Sequence, residues 1–238
     1  MTTVVVSQPM VFPWVGLFEQ VRLADVFVHY DDVQLPNGAS FSTRVQVKTA
    51  QGLRWLSVPV RREGASLIKD VRIDEEQRWR EKHLSTVRHS YARAPFFDEM
   101  LALAERVYGL ETDLLSEFDV AGVEEVSRYL GLAPRFVLAS SLETTSSGTQ
   151  KLADICEQLG ATRYVTGLGA LNYLEYEVFE RLGIQVEYMQ YERVPYPQLH
   201  GPFTPSVTIL DCIANCGREC VEVVRSPSAY WKDVVRDG

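Results

Sequence analysis

The chain has 238 residues, of which 46% are hydrophobic and 24% charged, enough apolar mass for a full core and the charge content of a globular protein. A formal net charge of -8 gives no overall attraction for phosphate backbones, which disfavours general nucleic-acid binding. No run of ~18 apolar residues suits a membrane span, and the opening MTTVVVS lacks the basic start and apolar stretch of a signal peptide, so a cytoplasmic protein with reduced thiols is expected.

The first β-rich run covers residues 3–7, and a helical pattern follows over 15–23. A second strand is expected at 26–30. Residues 43–47 and 55–60 flank Ala50-Gln51-Gly52 and read as a β-hairpin, with 68–73 as a candidate third strand. Helices are expected at 75–91, at 95–107 behind the helix-compatible Pro95, and at 115–130. Strands at 135–139, 163–166 and 185–189 then alternate with helices at 150–159 and 171–182, and a helix at 207–215 follows a loop that starts at Pro195. The strand runs are near-continuously apolar, which suits strands buried on both faces of a parallel sheet. Alternating strands and helices imply right-handed crossovers. The expected fold is α/β, one domain over 1–238, with a doubly wound, mostly parallel Rossmann-like sheet. A β-hairpin plus helical insertion at about 36–110, a lid or subdomain, separates strands 2 and 3.

Ligands of open α/β sheets bind at the carboxyl ends of the strands. Four of the five loops there are polar or Gly-rich: Gln8 through Trp14 after the first strand, Asp31-Asp32-Val33-Gln34 after the second, Ser140-Ser141 after the third, and Thr166-Gly167-Leu168-Gly169 after the fourth. Their convergence outweighs any single motif. Asp31 and Asp32 either cap a turn or reach a ligand, and adjacent residues of an extended chain point to opposite sides. The Thr166-Gly167-Leu168-Gly169 stretch opens a helix whose free N–H groups suit an anion, although a tight turn alone explains its glycines. Residues 140–149 are rich in hydroxyls and Lys151 follows, a cradle for phosphate or carboxylate or else a solvated loop with a cap.

In the insertion, His83 stands one turn after Trp79, placed as a general base or acid or as a structural imidazole. Arg44 and Lys48 share a strand face, as anion ligands or as solvated charges. Cys212, Cys216 and Cys220 follow C-x3-C-x3-C spacing, but Gly217 interrupts a helix there and no fourth ligand completes a tetrahedral set, so buried apolar thiols are expected rather than a metal site. No GxSxG, GxxxxGK[ST], HExxH or CxxC motif occurs, so no cofactor is evident from spacing.

These residues resemble the WbqC-like protein family across nearly the whole chain. The most specific piece is Gln8-Pro9 with Phe12-Pro13-Trp14-x-Gly16-x-Phe18. The resemblance continues through Asp31-Asp32-Val33-Gln34, Arg44, Lys48, Trp79-x-x-Lys82-His83, Ser140-Ser141, Lys151-Leu152, the stretch from Gly167 to Tyr173-Leu174, Tyr196-Pro197-Gln198 and Leu210-Asp211. It implies an enzyme of surface-polysaccharide, O-antigen or natural-product biosynthesis acting on an activated sugar, amino sugar or amino acid. The opening strand, turn and helix are also similar to HIGH-type nucleotidyltransferases, but the HxGH residues are missing.

The leading expectation is a transferase forming an amide or ester by acyl or aminoacyl transfer from a carrier-activated donor to a small molecule. His83 or Asp32 takes the proton, and Arg44, Lys48 and Lys151 hold phosphate or carboxylate. Ser141, Gly167 and Gly169 donate hydrogen bonds to a developing oxyanion or a phosphate, with Ser140 and Thr166 as further substrate-binding candidates. Gln8 and Gln34 orient substrate, Trp14 offers an aromatic face, and Asp31 and Tyr173 are further substrate-binding candidates. The first alternative is a nucleotide-dependent enzyme using ATP and Mg²⁺ with Asp31 or Asp32 on the metal. The second is a non-catalytic subunit of a biosynthetic complex. A homo-oligomer is compatible with either.

Overall fold

The computed structural model describes residues 1–38, 40–61 and 64–236; residues 39, 62 and 63 of the expected insertion lie outside the described residues. The apolar runs form a six-stranded sheet from β1 (Thr3–Ser7), β2 (Val26–His29), β7 (Arg135–Leu138), β8 (Arg163–Thr166), β9 (Gln185–Met189) and β10 (Ser228–Tyr230). Their order is β10-β9-β8-β1-β2-β7, and every pairing is parallel except β10 against β9. Consecutive crossovers run from β1 through β2 to β7 on one side and through β8 to β9 on the other. The winding direction therefore reverses between β1 and β8, as in a Rossmann-like sheet.

Register sorts the side chains. Val5 lies opposite Phe27 and Val165, and these pack on one face with Phe136 and Met189. Val4 lies opposite Val26 and Tyr164, and these pack on the other with Val137 and Val186. A slip of one residue would exchange the two sets, so both cores specify the pairing. The first face is covered by α1 (Val15–Leu23), α4 (Leu115–Leu130) and α8 (Cys220–Val224); the second by α5 (Gly148–Gln158) and α6 (Tyr176–Arg181). Helices on both faces explain why strands of four or five residues are almost wholly buried.

Between β2 and β7 the chain forms β3 (Arg44–Thr49), β4 (Gly52–Ser57), β5 (Val60–Arg61), β6 (Arg72–Ile73), α2 (Trp79–Tyr91) and α3 (Phe97–Tyr108) before α4. β3 and β4 are the expected hairpin. The candidate strand at 68–73 does not extend it. Residues Ile68–Asp70 form a 3-10 turn, and Arg72–Ile73 pairs with Val60–Arg61 in a separate two-stranded sheet. Pro59 breaks the strand between Ser57 and Val60, because it has no N–H for a ladder. The helix expected at 75–91 begins at Trp79 instead, since Arg78 takes a left-handed conformation after a 3-10 turn at Glu75–Gln77. The helix expected at 171–182 is broken as well. A 3-10 turn at Leu168–Asn172 precedes α6, and the Thr149 hydroxyl donates to Tyr173 O and accepts from Glu175 N in the gap.

The last part holds α7 (Ile209–Cys216), α8, β10 and α9 (Trp231–Arg236), of which α8, β10 and α9 are not visible as sequence patterns. Gly217, at φ 57°, ends α7 and turns the chain so that Cys220 returns to Cys212, with Cα atoms 5.9 Å apart. These two cysteines, expected as separate buried thiols, are joined in a disulfide, while Cys156 and Cys216 are free. No helix is long and apolar enough to cross a membrane among the described residues.

Candidate functional site

A cleft of about 450 Å³ opens at the carboxyl ends of β1 and β8, where the winding direction reverses. Gln8 lines it from the loop after β1, and Thr166, Gly167, Gly169 and Tyr173 line it from the loop after β8. These five are the sequence-selected residues that one cavity gathers. Gln20 of α1, Tyr30 at the end of β2 and Gly148 at the start of α5 add to the polar part of the wall, with Ser7 of β1 and Tyr164 of β8. A side chain at Gly167 would bring its Cβ to 3.3 Å from Gln20 Nε2, so the glycine lets the Gln20 amide lie against the backbone. No described residue lining the cleft is charged at neutral pH. The start of the 3-10 turn after β8 supplies N–H groups that have no partner inside the turn.

Tyr30 connects the cleft to the acidic pair after β2. Burial, then the Asp32 carboxylate, then Tyr173 push its hydroxyl up to about 12, so it stays a proton donor at neutral pH. Lys151 Nζ is 2.7 Å from Asp32 Oδ2 and 5.4 Å from the Tyr30 ring centroid. The other Asp32 oxygen, Oδ1, is buried and has no hydrogen-bond partner among the described residues. Asp31 faces elsewhere: its carboxylate accepts from Ser140 N at 2.9 Å and from Ser140 Oγ at 2.6 Å, tying the end of β2 to the end of β7. Adjacent carboxylates thus divide the work, as the alternation of an extended chain requires. Ser141 Oγ donates to Leu138 O, and Gln34 is exposed, bridged through its backbone to Leu67.

The Phe12-Pro13-Trp14 turn that follows Gln8 in the chain is built rather than loose. Phe12 sits at φ 37°, and its carbonyl accepts from the buried Thr208 hydroxyl at 2.8 Å. A non-glycine residue there is strained and persists only where its surroundings over-determine it. The Phe12 ring packs on Tyr108 and Phe118, which pack in turn on Trp79. His83 belongs to this aromatic cluster and is not among the residues lining the cleft. It is buried, edge-on to Trp79, with Nδ1 3.1 Å from the Tyr108 hydroxyl. Burial pushes its pKa down to about 4, partly opposed by a hydrogen bond with the Ser57 backbone, so it is a neutral imidazole near pH 7. Trp14 packs edge-on against Tyr191, and its indole lies over Gly16, where a Cβ would come within 2.0 Å of the ring.

Arg44 stacks on Trp55, 4.0 Å from the ring centroid. Lys48, four residues on, is buried and donates to Gln198 Oε1 and to the carbonyls of Gly201 and Pro202. It anchors the 198–202 loop. Beside it Asp211 accepts from the Tyr196 hydroxyl at 3.0 Å, and burial raises its pKa to about 6 against the hydrogen bonds from Tyr196 and Tyr91 and the charge of Lys48. Sequence reasoning missed Gln20, Tyr30 and Gly148. A signal existed for Gln20, which follows Gly16 by four residues on one face of α1, and for Tyr30, the last residue of the expected second strand.

The comparisons extend over this framework. A family model described as the WbqC-like protein family matches residues 8–223. The "Uncharacterized protein Rv1507c" of Mycobacterium tuberculosis (strain ATCC 25618 / H37Rv) is 32% identical over 229 residues, which cover 94% of this chain and 98% of that one. No solved structure matches the chain. Because the match begins at Gln8 in the cleft and runs through the insertion and the closing helices to Val223, the chain belongs to the WbqC-like protein family.

Proposed function

We propose that the chain is a biosynthetic transferase that forms an amide or ester on a small molecule held in the switch-point cleft, the acyl or aminoacyl group coming from an activated carrier. The observation that carries this reading is the uncharged, hydrogen-bonding lining of that cleft with the Asp32–Lys151 pair beside it. Neutral amides, hydroxyls and backbone N–H groups suit a polyhydroxylated or amide-bearing substrate. Gln8 and Gln20 orient it, and Tyr173, which is 59% exposed, offers a ring face at the rim. Asp32 stands beside Tyr30 and is not itself among the residues lining the cleft; it takes the proton of the attacking amine or hydroxyl once the substrate opens a path to its buried Oδ1, with Lys151 fixing the carboxylate. The new bond forms to the acyl carbon as the bond to the carrier breaks, and the proton goes on to the leaving group. The Tyr30 hydroxyl and the N–H groups at Gly167 and Gly169 donate to the developing oxyanion. His83, neutral and buried in the insertion, supports the Phe12 turn and takes no proton in this scheme.

The test is product formation by mass spectrometry from paired aminoacyl or acyl donors and amino-sugar acceptors. Asp32→Asn should cost about a hundredfold or more in turnover, and His83→Gln should retain it; normal turnover by Asp32→Asn would remove the assigned base. A nucleotide-dependent reaction is the second reading, favoured by the position of the cleft where α/β sheets take nucleotides. Against it, both Asp31 oxygens are engaged by Ser140, and the Lys151 ammonium beside Asp32 opposes a second cation at that carboxylate.

A further inference from the structure

The Arg54 side chain on β4 has no ion-pair or hydrogen-bond partner among the described residues, whereas Arg61, Arg72 and Arg80 of the same insertion are each ion-paired. It lines a second cleft, of about 260 Å³, between the hairpin turn, α2 and the loop at His200. Two imidazoles line the same cleft. His89 Nδ1 is 2.6 Å from Ser85 O, and His200 Nε2 is 2.7 Å from Ser90 O. A carbonyl only accepts, so these two nitrogens carry the protons. That leaves Nε2 of His89 and Nδ1 of His200 without a partner among the described residues. His200 is also strained, at φ 65°, and is followed by Gly201 at φ 91°. The strain is held from two sides, by the bond to Ser90 O and by buried Lys48, which grips the Gly201 and Pro202 carbonyls.

The charge of the site selects its ligand. Arg54 disfavours a divalent cation between the imidazoles, no Asp or Glu is among the described lining residues, and no group of three His, Cys, Asp or Glu among the described residues could hold a metal ion. A guanidinium presents a rigid fork of donors that fits an oxyanion bidentately. A phosphate carries both P–O⁻ and P–OH, so it also suits an imidazole nitrogen that can accept, or donate once a proton is taken up.

We propose that this second cleft binds a phosphate group, with Arg54, His89 and His200 as its contacts. It shares no lining residue with the switch-point cleft, so it stands or falls apart from the transfer reaction. Isothermal titration of the full chain with inorganic phosphate and, separately, with a nucleoside diphosphate tests it. Wild type, Arg54→Gln, His89→Gln and Gln8→Ala would be compared after their melting temperatures are matched; Arg54 and His89 are exposed, so both substitutions leave the core untouched. Phosphate should bind wild type and Gln8→Ala alike and bind Arg54→Gln about tenfold or more weakly. Tighter binding of the diphosphate with the same Arg54 dependence would name the phosphate of a larger ligand, and equal or weaker binding would name free phosphate. No phosphate binding to wild type, or binding untouched by both Arg54→Gln and His89→Gln, overturns the proposal.

Discussion

The Lys151 ammonium lies 2.7 Å from the Asp32 carboxylate, joining the first turn of α5 to the loop after β2, with both side chains mostly buried. Removing one partner leaves an uncompensated, partly buried charge. Lys151→Met and Asp32→Asn should each cost about 1–3 kcal/mol in urea denaturation. The double variant should cost less than their sum, with a coupling of about 1–2 kcal/mol. Additive single effects would mean that the pair contributes nothing beyond its separate side chains.

Gly16 has a packing role. Its φ is ordinary, but a Cβ would come within 2.0 Å of the Trp14 ring. Gly16→Ala should destabilise the chain by about 1–3 kcal/mol through overpacking, measured by thermal unfolding, and shift Trp14 fluorescence as the indole leaves Tyr191. Adding Trp14→Leu should restore part of the loss, because the ring that clashes is gone.

His83 and Asp211 give opposite pH dependences. The folded pKa of His83, about 4, lies below its ordinary value, so the unfolded chain takes up the proton first. Its contribution is present above about pH 6.5 and declines as pH falls towards 4, by about 3 kcal/mol at most. The folded pKa of Asp211, about 6, lies above its ordinary value, so its contribution is present below about pH 4 and lost as pH rises through 6, by a similar amount. Relative to wild type, His83→Gln should therefore gain stability on acidification from pH 6.5 to 4. Asp211→Asn should gain it on going from pH 4 to above 6. Urea midpoints across that range check both signs.

The disulfide between Cys212 and Cys220 closes a short loop, with a sequence separation of 8. The chain-entropy account assigns such a loop about 2–3 kcal/mol. Dithiothreitol, or Cys220→Ala, should lower the unfolding free energy by that amount and leave Cys216 as an independent thiol in alkylation assays.

The sheet was legible because strands buried on both faces have no polar face to hide. Runs such as Val4-Val5-Val6 announce themselves, and the loops that end them can then be read as one surface. Gln8, Thr166, Gly167, Gly169 and Tyr173, selected in that way, line one cleft. His83, Arg44 and Lys48 carry side chains equally able to do chemistry or to hold structure. What decides between these is burial among Trp79 and Tyr108, or a grip on the Gly201 carbonyl, and both depend on contacts distant in sequence. The break at Arg78 and the return of Cys220 to Cys212 rest on backbone conformations that periodicity does not encode. The pairing of His89 with His200 in one cleft likewise requires the 198–202 loop to be folded first.

In the proposed reaction the substrate sits at the reversal between β1 and β8. The most direct test of that placement is a thermal-shift panel of aminoacyl and acyl donors, amino-sugar nucleotides, free amino acids and ATP with Mg²⁺, run on wild type, Gln8→Leu and Thr166→Val. A ligand at about 100 times its dissociation constant adds about 2.7 kcal/mol, a shift of several degrees. A donor or an amino-sugar compound should give such a shift in wild type and lose it in both variants. A shift of the same size in all three proteins would contradict that placement, because the ligand would then be bound somewhere other than this cleft.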